Sequence, residues 1–126
     1  MGKNKILLVD DDKEFLAEMG SALISSGYEV ASVANGSMAL QKTIDFKPDI
    51  IFLDIKLDGE SGFIIADKLR KSYSAKDTPI VALTSVYTEK EYEYIAKGFG
   101  MRDRLIKPVG PDDLIRVIRR ECEDGK

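Results

Sequence analysis

The sequence contains no histidine. That excludes imidazole metal ligands and imidazole general bases within it. Its one cysteine, Cys122, cannot close an intrachain disulfide; such usage suits a reducing compartment. No apolar run approaches the ~18 residues that a membrane span requires. The opening residues Met1 to Lys5 lack the apolar stretch of a signal peptide, and a myristoylation signal would want Ser or Thr where Ile6 stands. A cytoplasmic protein with no membrane contact is therefore expected. The net charge of −3 also gives no basic surface for direct nucleic-acid binding.

What is present suits one folded unit. The 126 residues, 44% hydrophobic and 33% charged, are enough to bury a single core without covalent help. Short Val-, Ile- and Leu-rich runs fall at Ile6 to Val9, Tyr28 to Val33, Ile50 to Leu53, Ile80 to Leu83 and Leu105 to Ile106. The first, third and fourth are nearly continuous rather than alternating, the pattern of parallel strands covered on both faces. Segments with helical spacing separate them. Phe15, Met19 and Leu23 mark a first helix. Met38, Ala39, Thr43 and Phe46 mark a second that ends near Lys47-Pro48, and Phe63, Ala66 and Leu69 sit in a third. Residues 88 to 97 predict a fourth, with Thr88 and Glu91 as a capping box. Leu114, Ile115, Val117 and Ile118 predict a fifth, opened by Pro111 and Asp112. Gly27, Gly98 and Gly100 stand where helices should stop. The sum is a doubly wound α/β domain over residues 1–126, a parallel sheet with crossover helices on both faces and a polar tail fraying from Glu121.

In such a sheet the functional crevice lies beyond the carboxyl ends of the strands. Asp10, Asp11 and Asp12 follow the first strand, Asp54 the third, Thr84 and Ser85 the fourth, and Lys107-Pro108 the fifth. Each has an ordinary reading. Asp12 is a helix N-cap, Asp49 and Asp58 are loop residues, and a lone Thr or Lys-Pro after a strand is usually a turn. The signal is the conjunction. Carboxylates crowded in one crevice repel one another, and a hard cation such as Mg²⁺ relieves that. Metal, lysine and hydroxyl together suit phosphoryl chemistry, with a free carboxylate as nucleophile.

The segments Ile6-Leu-Leu-Val-Asp-Asp-Asp12, Asp54-Ile-Lys-Leu-Asp-Gly-Glu-Ser-Gly62, Ile80-Val-Ala-Leu-Thr-Ser85 and Leu105-Ile-Lys-Pro108 resemble, in order and spacing over essentially the whole chain, the receiver domains of two-component response regulators. The resemblance implies a flavodoxin-like (βα)5 fold with strand order 2-1-3-4-5. It implies that Asp54 accepts the phosphoryl group, and that Asp11, Asp54 and the backbone carbonyl of Lys56 bind Mg²⁺ directly while Asp10 holds it through water. Thr84 would bond the phosphoryl group. Lys107 would pair with Asp54 before transfer and with a phosphoryl oxygen after it, the Lys107–Pro108 bond being cis. Ser85 has the small side chain usual beside the Thr. Three positions depart from the family pattern: Asp58 stands where Pro is common, Ser61 where Asp is frequent, and Arg104 where a Tyr or Phe usually turns inward on activation. A charged guanidinium cannot fill that apolar slot in the same way, which leaves Tyr87 and Tyr92 as candidate substitutes.

A sensor histidine kinase or phosphotransfer protein is the partner so implied, and the domain is not an enzyme beyond catalysing its own aspartyl phosphorylation and dephosphorylation. Lys56 and Val86 would flank the water that hydrolyses the acyl phosphate, and since Val86 cannot orient it, slow dephosphorylation is expected. Output would run through the fourth helix, fifth strand and fifth helix, whose mixed charges could also form a homodimer. Three rivals remain. A haloacid-dehalogenase-type phosphohydrolase would share the Asp-x-Asp spacing at Asp10 and Asp12. A flavodoxin-like FMN carrier would share the fold, and a degenerate receiver would serve only as an interaction domain.

Overall fold

The structure, a computed structural model, describes residues 4–72, 77–85 and 101–123, with the side chain of Arg102 excepted. Strand β1 (Lys5–Val9) leads through helix α1 (Lys13–Ser25) to β2 (Glu29–Val33). Helix α2 (Gly36–Phe46), β3 (Ile50–Asp54), helix α3 (Gly62–Lys71), β4 (Ile80–Thr84) and β5 (Met101–Ile106) follow. A C-terminal helix (Pro111–Ile118) runs on into a π-helical segment, Arg119–Glu123. All neighbouring strands of the sheet are parallel, in the order β2-β1-β3-β4-β5. The expected doubly wound, flavodoxin-like order is thus present. The predicted fourth helix with Thr88 and Glu91, together with Gly98, Gly100, Val86, Tyr87 and Tyr92, lies outside the described residues.

The sheet forms because its central strands are apolar on both faces. Residues of β1, β3 and β4 alternate between two cores. Leu7, Val9, Ile51, Leu53, Ile80 and Ala82 pack with Ala39, Phe63, Ala66 and Leu69 beneath α2 and α3. Ile6, Leu8, Ile50, Phe52, Val81 and Leu83 pack with Met19, Leu23, Leu114, Val117 and Ile118 beneath α1 and the C-terminal helix. Most of these side chains are entirely inaccessible.

The helix starts follow their caps. Asp12 accepts the backbone N–H groups of Glu14 and Phe15, as expected of an N-cap. Asn35 accepts from Met38 at the start of α2. Lys47 takes a left-handed conformation (φ 53°) to end α2 ahead of Pro48.

Three features differ from the sequence expectation. β5 begins at Met101 rather than Leu105. As an edge strand it carries charged residues without cost to a core, so its apolar signal is confined to its end. Residues Lys56–Leu57 and Glu60–Ser61 pair as a small antiparallel hairpin around Gly59 at φ 74°, too short to leave a periodic signature. Residues 121–123 do not fray. Cys122 is buried in the α1-side core, and the Glu123 carboxylate accepts from the Tyr28 hydroxyl at 3.1 Å and from Asn4 at 3.0 Å.

Candidate functional site

The crevice at the carboxyl end of the sheet is built by the ends of β1, β3, β4 and β5. The buried strands β1, β3 and β4 fix the backbone, and the polar residues at the carboxyl ends of all four strands emerge at one edge. Asp10 follows β1 and is completely buried. Its backbone N–H donates to Val33 O, its Oδ1 accepts from Asp12 N at 2.9 Å, and its Oδ2 accepts from Lys107 Nζ at 2.7 Å. Asp11 is exposed, and its Oδ2 accepts from the backbone N–H of Asp58 at 2.7 Å. Asp54 ends β3 with its side chain 11% exposed, and its Oδ1 accepts from Lys56 N at 2.9 Å. One carboxylate oxygen from each of Asp10, Asp11 and Asp54 falls within 4.8 Å of the others.

Lys107 projects from the end of β5. Its backbone N–H donates to Thr84 O at 2.6 Å, which ties β5 to β4, and the Lys107–Pro108 peptide bond is cis as expected. The ammonium sits 2.7 Å from Asp10 Oδ2, 3.6 Å from Asp54 Oδ2 and 4.6 Å from the centroid of the Phe15 ring. Thr84 is buried one residue beyond Leu83, the β4 residue opposite Asp54. Ser85 beside it is exposed.

Packing fixes the loop after Asp54. A Cβ on Gly62 would collide with the Asp54 carbonyl oxygen and the Ile55 backbone, so only glycine lets the start of α3 approach this closely. Gly62 N donates to Ile55 O at 2.9 Å. Across the crevice rim, Glu60 accepts from Gly36 N at 2.9 Å, drawing the hairpin onto the start of α2.

The electrostatics follow from burial. Desolvation is the largest influence on Asp54 and pushes its carboxyl up. The charges of Asp10 and Asp11 push the same way, while the Lys56 N–H and the Lys107 charge pull it down, leaving it at about 6. Burial pulls the Lys107 ammonium down, but its hydrogen bond to Asp10 and the charges of Asp10 and Asp54 outweigh that and hold it above its ordinary value.

The expected site residues Asp10, Asp11, Asp54 and Lys107 thus converge, with Thr84 at the same edge and Lys56 touching Asp54 through its backbone. The nearest partner of Lys107 is Asp10 rather than Asp54. An entirely buried carboxylate needs a charged or hydrogen-bonded partner more than one still reached by solvent. Sequence reasoning missed Phe15 beneath the ammonium, the Asp58 backbone on Asp11, and Glu60 on Gly36. Spacing could not have signalled these, because each is a contact between segments distant in sequence, made by helix packing for Phe15 and by loop conformation for Asp58 and Glu60. Asp49, read as a loop residue, accepts from Lys5 N at 2.7 Å and so ties the start of β3 to β1. Arg104 is half-buried on β5 opposite Ala82.

A parallel five-stranded sheet with an acidic cluster and one lysine at its carboxyl edge defines a class of α/β domains built for phosphoryl or metal chemistry at the switch between strands. The sequence pattern of the response regulator receiver domain matches residues 6–119, and the chain belongs to that family, whose members act as phosphorylation-dependent signalling switches in two-component systems rather than as conventional enzymes. It is 34% identical over 114 residues to the phosphate regulon transcriptional regulatory protein PhoB of Pseudomonas aeruginosa, covering 90% of the chain and 49% of PhoB. The chain spans about half or less of the length of the first curated relatives it matches. Among solved structures, the chemotaxis protein CheY4 of Vibrio cholerae superposes with a TM-score of 0.88 at 29% identity, covering 95% of this chain and 99% of that one. The receiver domain of the sensor histidine kinase PA1611 from Pseudomonas aeruginosa superposes at 0.84, also at 29% identity, over 95% and 98% of the two chains. It carries a magnesium ion coordinated in its active-site cleft. Among the described residues, no helix is long and apolar enough to cross a membrane.

Proposed function

We propose that this chain, as one receiver domain over residues 1–126, is a signalling switch that takes a phosphoryl group from a phospho-histidine donor onto Asp54 in a Mg²⁺-dependent reaction. The observation that carries the reading is the convergence of three carboxylates within 4.8 Å of one another, with a lysine ammonium 3.6 Å from Asp54. The donor set suits Mg²⁺, which takes hard oxygen ligands and keeps several waters. Asp11, Asp54 and the Lys56 carbonyl would hold it directly and Asp10 through water. When bound, the ion offsets charge on the phosphoryl oxygens.

The chain's own groups do the rest. A carboxylate oxygen of Asp54 attacks phosphorus in line. The P–N bond to the donor imidazole breaks, and its electron pair stays on the departing nitrogen. Lys56 N–H holds Oδ1 of Asp54 and so fixes the attacking carboxylate. Lys107 pairs with a phosphoryl oxygen and Thr84 hydrogen-bonds another. The donor is a sensor histidine kinase or a phosphotransfer protein. Water later attacks phosphorus and releases phosphate. The flanking side chains are Lys56 and Val86, and because Val86 cannot orient the water by hydrogen bonding, that step is slow. Output runs through the fourth helix, β5 and the C-terminal helix, of which the described part carries the Asp103–Arg120 pair at 2.8 Å. The same surface is the candidate homodimer face. This domain acts in the cytoplasm and itself contacts neither nucleic acid nor membrane.

The test is the intact mass of the protein after incubation with Mg²⁺ and acetyl phosphate. Gain of one phosphoryl group, absent for Asp54→Asn and in the presence of a chelator, is expected. No gain from acetyl phosphate or from a phosphorylated histidine kinase domain would replace this reading with that of a degenerate receiver.

A further inference from the structure

The Lys107 ammonium is seated between two groups. It donates to Asp10 Oδ2 at 2.7 Å and lies over the Phe15 ring, 4.6 Å from its centroid. The lysine backbone is pinned to Thr84 O, so the ammonium can leave this seat only by swinging its flexible stem. The Asp10 carboxylate is fully engaged by the same arrangement: Oδ1 takes the Asp12 N–H and Oδ2 takes the lysine. Asp10 is also one of the three carboxylates that cluster at the crevice. Its Oδ2 cannot serve a strongly bound ammonium and the hydration shell of a divalent cation at full strength, because two positive groups would crowd one oxygen in a buried setting.

We propose that Phe15 and Asp10 form a resting seat for Lys107, that the seated ammonium is an internal counter-cation competing with divalent metal for Asp10, and that Phe15 is a positioning residue setting how strongly it competes. The proposal rests on the reading that Asp10, Asp11 and Asp54 hold Mg²⁺. Phe15 lies in the first turn of α1, three residues past the Asp12 N-cap whose carboxylate starts the helix, and its partly buried ring packs against the α1-side core. Helix and core therefore fix the ring face on which a cation is attracted by the aromatic quadrupole. On occupation of the cluster, Lys107 gives up Asp10 and its ammonium becomes available to the Asp54 side, 3.6 Å away. The same lysine then neutralises the crevice when metal is scarce and serves the phosphoryl group when metal is present.

The experiment is a Mg²⁺ titration of the protein at constant pH and ionic strength, followed by amide NMR for affinity and by the Lys107 Hε resonances for the seat. In the wild type, these protons should lie upfield in metal-free protein, shifted by the Phe15 ring current, and lose that shift as Mg²⁺ saturates. Phe15→Leu changes no charge, so a purely long-range charge effect predicts an unchanged Kd. Loss of the ring seat instead predicts Mg²⁺ binding tighter by about two- to five-fold, the range of an exposed cation–π contact. Phe15→Tyr keeps the ring and should restore the wild-type Kd. If Phe15→Leu binds Mg²⁺ no more tightly than wild type, or if the Lys107 resonances of the wild type stay in place at saturation, the seat does not compete and the proposal is overturned. The wild-type resonances decide the matter even if a variant fails to fold. Absence of any Mg²⁺-dependent shift in wild-type amides would instead overturn the metal site itself, and the inference with it.

Discussion

Asp54 is held in tension by its surroundings. Burial and two neighbouring carboxylates favour its neutral form, while the Lys56 N–H and the Lys107 ammonium favour its charged form, and the balance stands at about 6 against an ordinary value of 3.8. A carboxyl whose folded value is raised binds more protons folded than unfolded between those two values. Its contribution to stability is therefore fully present below about 4 and is lost as pH rises through about 6. Without metal, thermal unfolding of the wild type should show this loss across that window, and Asp54→Asn should abolish it and raise Tm at pH 7. A lower Tm for Asp54→Asn at pH 7 would mean that attraction to Lys107 dominates. The site chemistry was legible at this scale, because Asp10 and Asp11 follow β1, Asp54 and Thr84 end β3 and β4, and Lys107 follows β5, all at the carboxyl ends of the strands. The partner of Lys107 was not. Its choice of Asp10 over Asp54 depends on which carboxylate is deeper, and that is set by packing rather than spacing.

At the scale of elements, two local devices hold the crevice open to chemistry. Asp12 caps α1 through two backbone N–H groups, and that helix carries Phe15. Asp12→Ala should cost about 1 kcal/mol in denaturant unfolding, with little effect on the extent of phosphorylation. Gly62 brings α3 against the Asp54 carbonyl. Gly62→Ala forces a Cβ into backbone that cannot yield as a side chain could, so a loss of about 1–3 kcal/mol is expected. The phosphorylation rate should fall with it, because the displaced atoms belong to the acceptor strand. An unchanged rate in a destabilised Gly62→Ala protein would separate the helix start from the site. Helices α1 to α3 were readable because burial of one face imposes a period, and β1, β3 and β4 because burial of both faces leaves a continuous apolar run. The hairpin around Gly59, the charged half of β5 and the helical continuation through Cys122 were not. The hairpin is two residues a side, β5 is an edge, and residues 121–123 are held by one buried thiol and by the Glu123 contacts to Tyr28 and Asn4 rather than by an apolar stripe.

For the whole molecule, one sheet sandwiched between two cores makes the site a property of the fold. Phe52 is fully buried on β3, two residues before Asp54, and belongs to the α1-side core. Phe52→Ala should cost about 3–5 kcal/mol. Phosphoryl uptake should be lost in proportion to the fraction unfolded, measured by circular dichroism and intact mass on the same samples. The parallel doubly wound architecture was legible because continuous apolar strands alternated with helical segments. The charge pairs of the outer face, such as Arg120 with Asp103 and Glu121, were not. Exposed pairs add little to stability and leave no required pattern. The central claim is that Asp54, among three clustered aspartates, is the one that becomes an acyl phosphate. The most direct measurement is borohydride reduction of the phosphorylated protein, which converts an aspartyl phosphate to homoserine, followed by peptide mass spectrometry. Homoserine at position 54 alone is predicted; homoserine at position 10 or 11, or none after demonstrated phosphoryl uptake, would contradict the account.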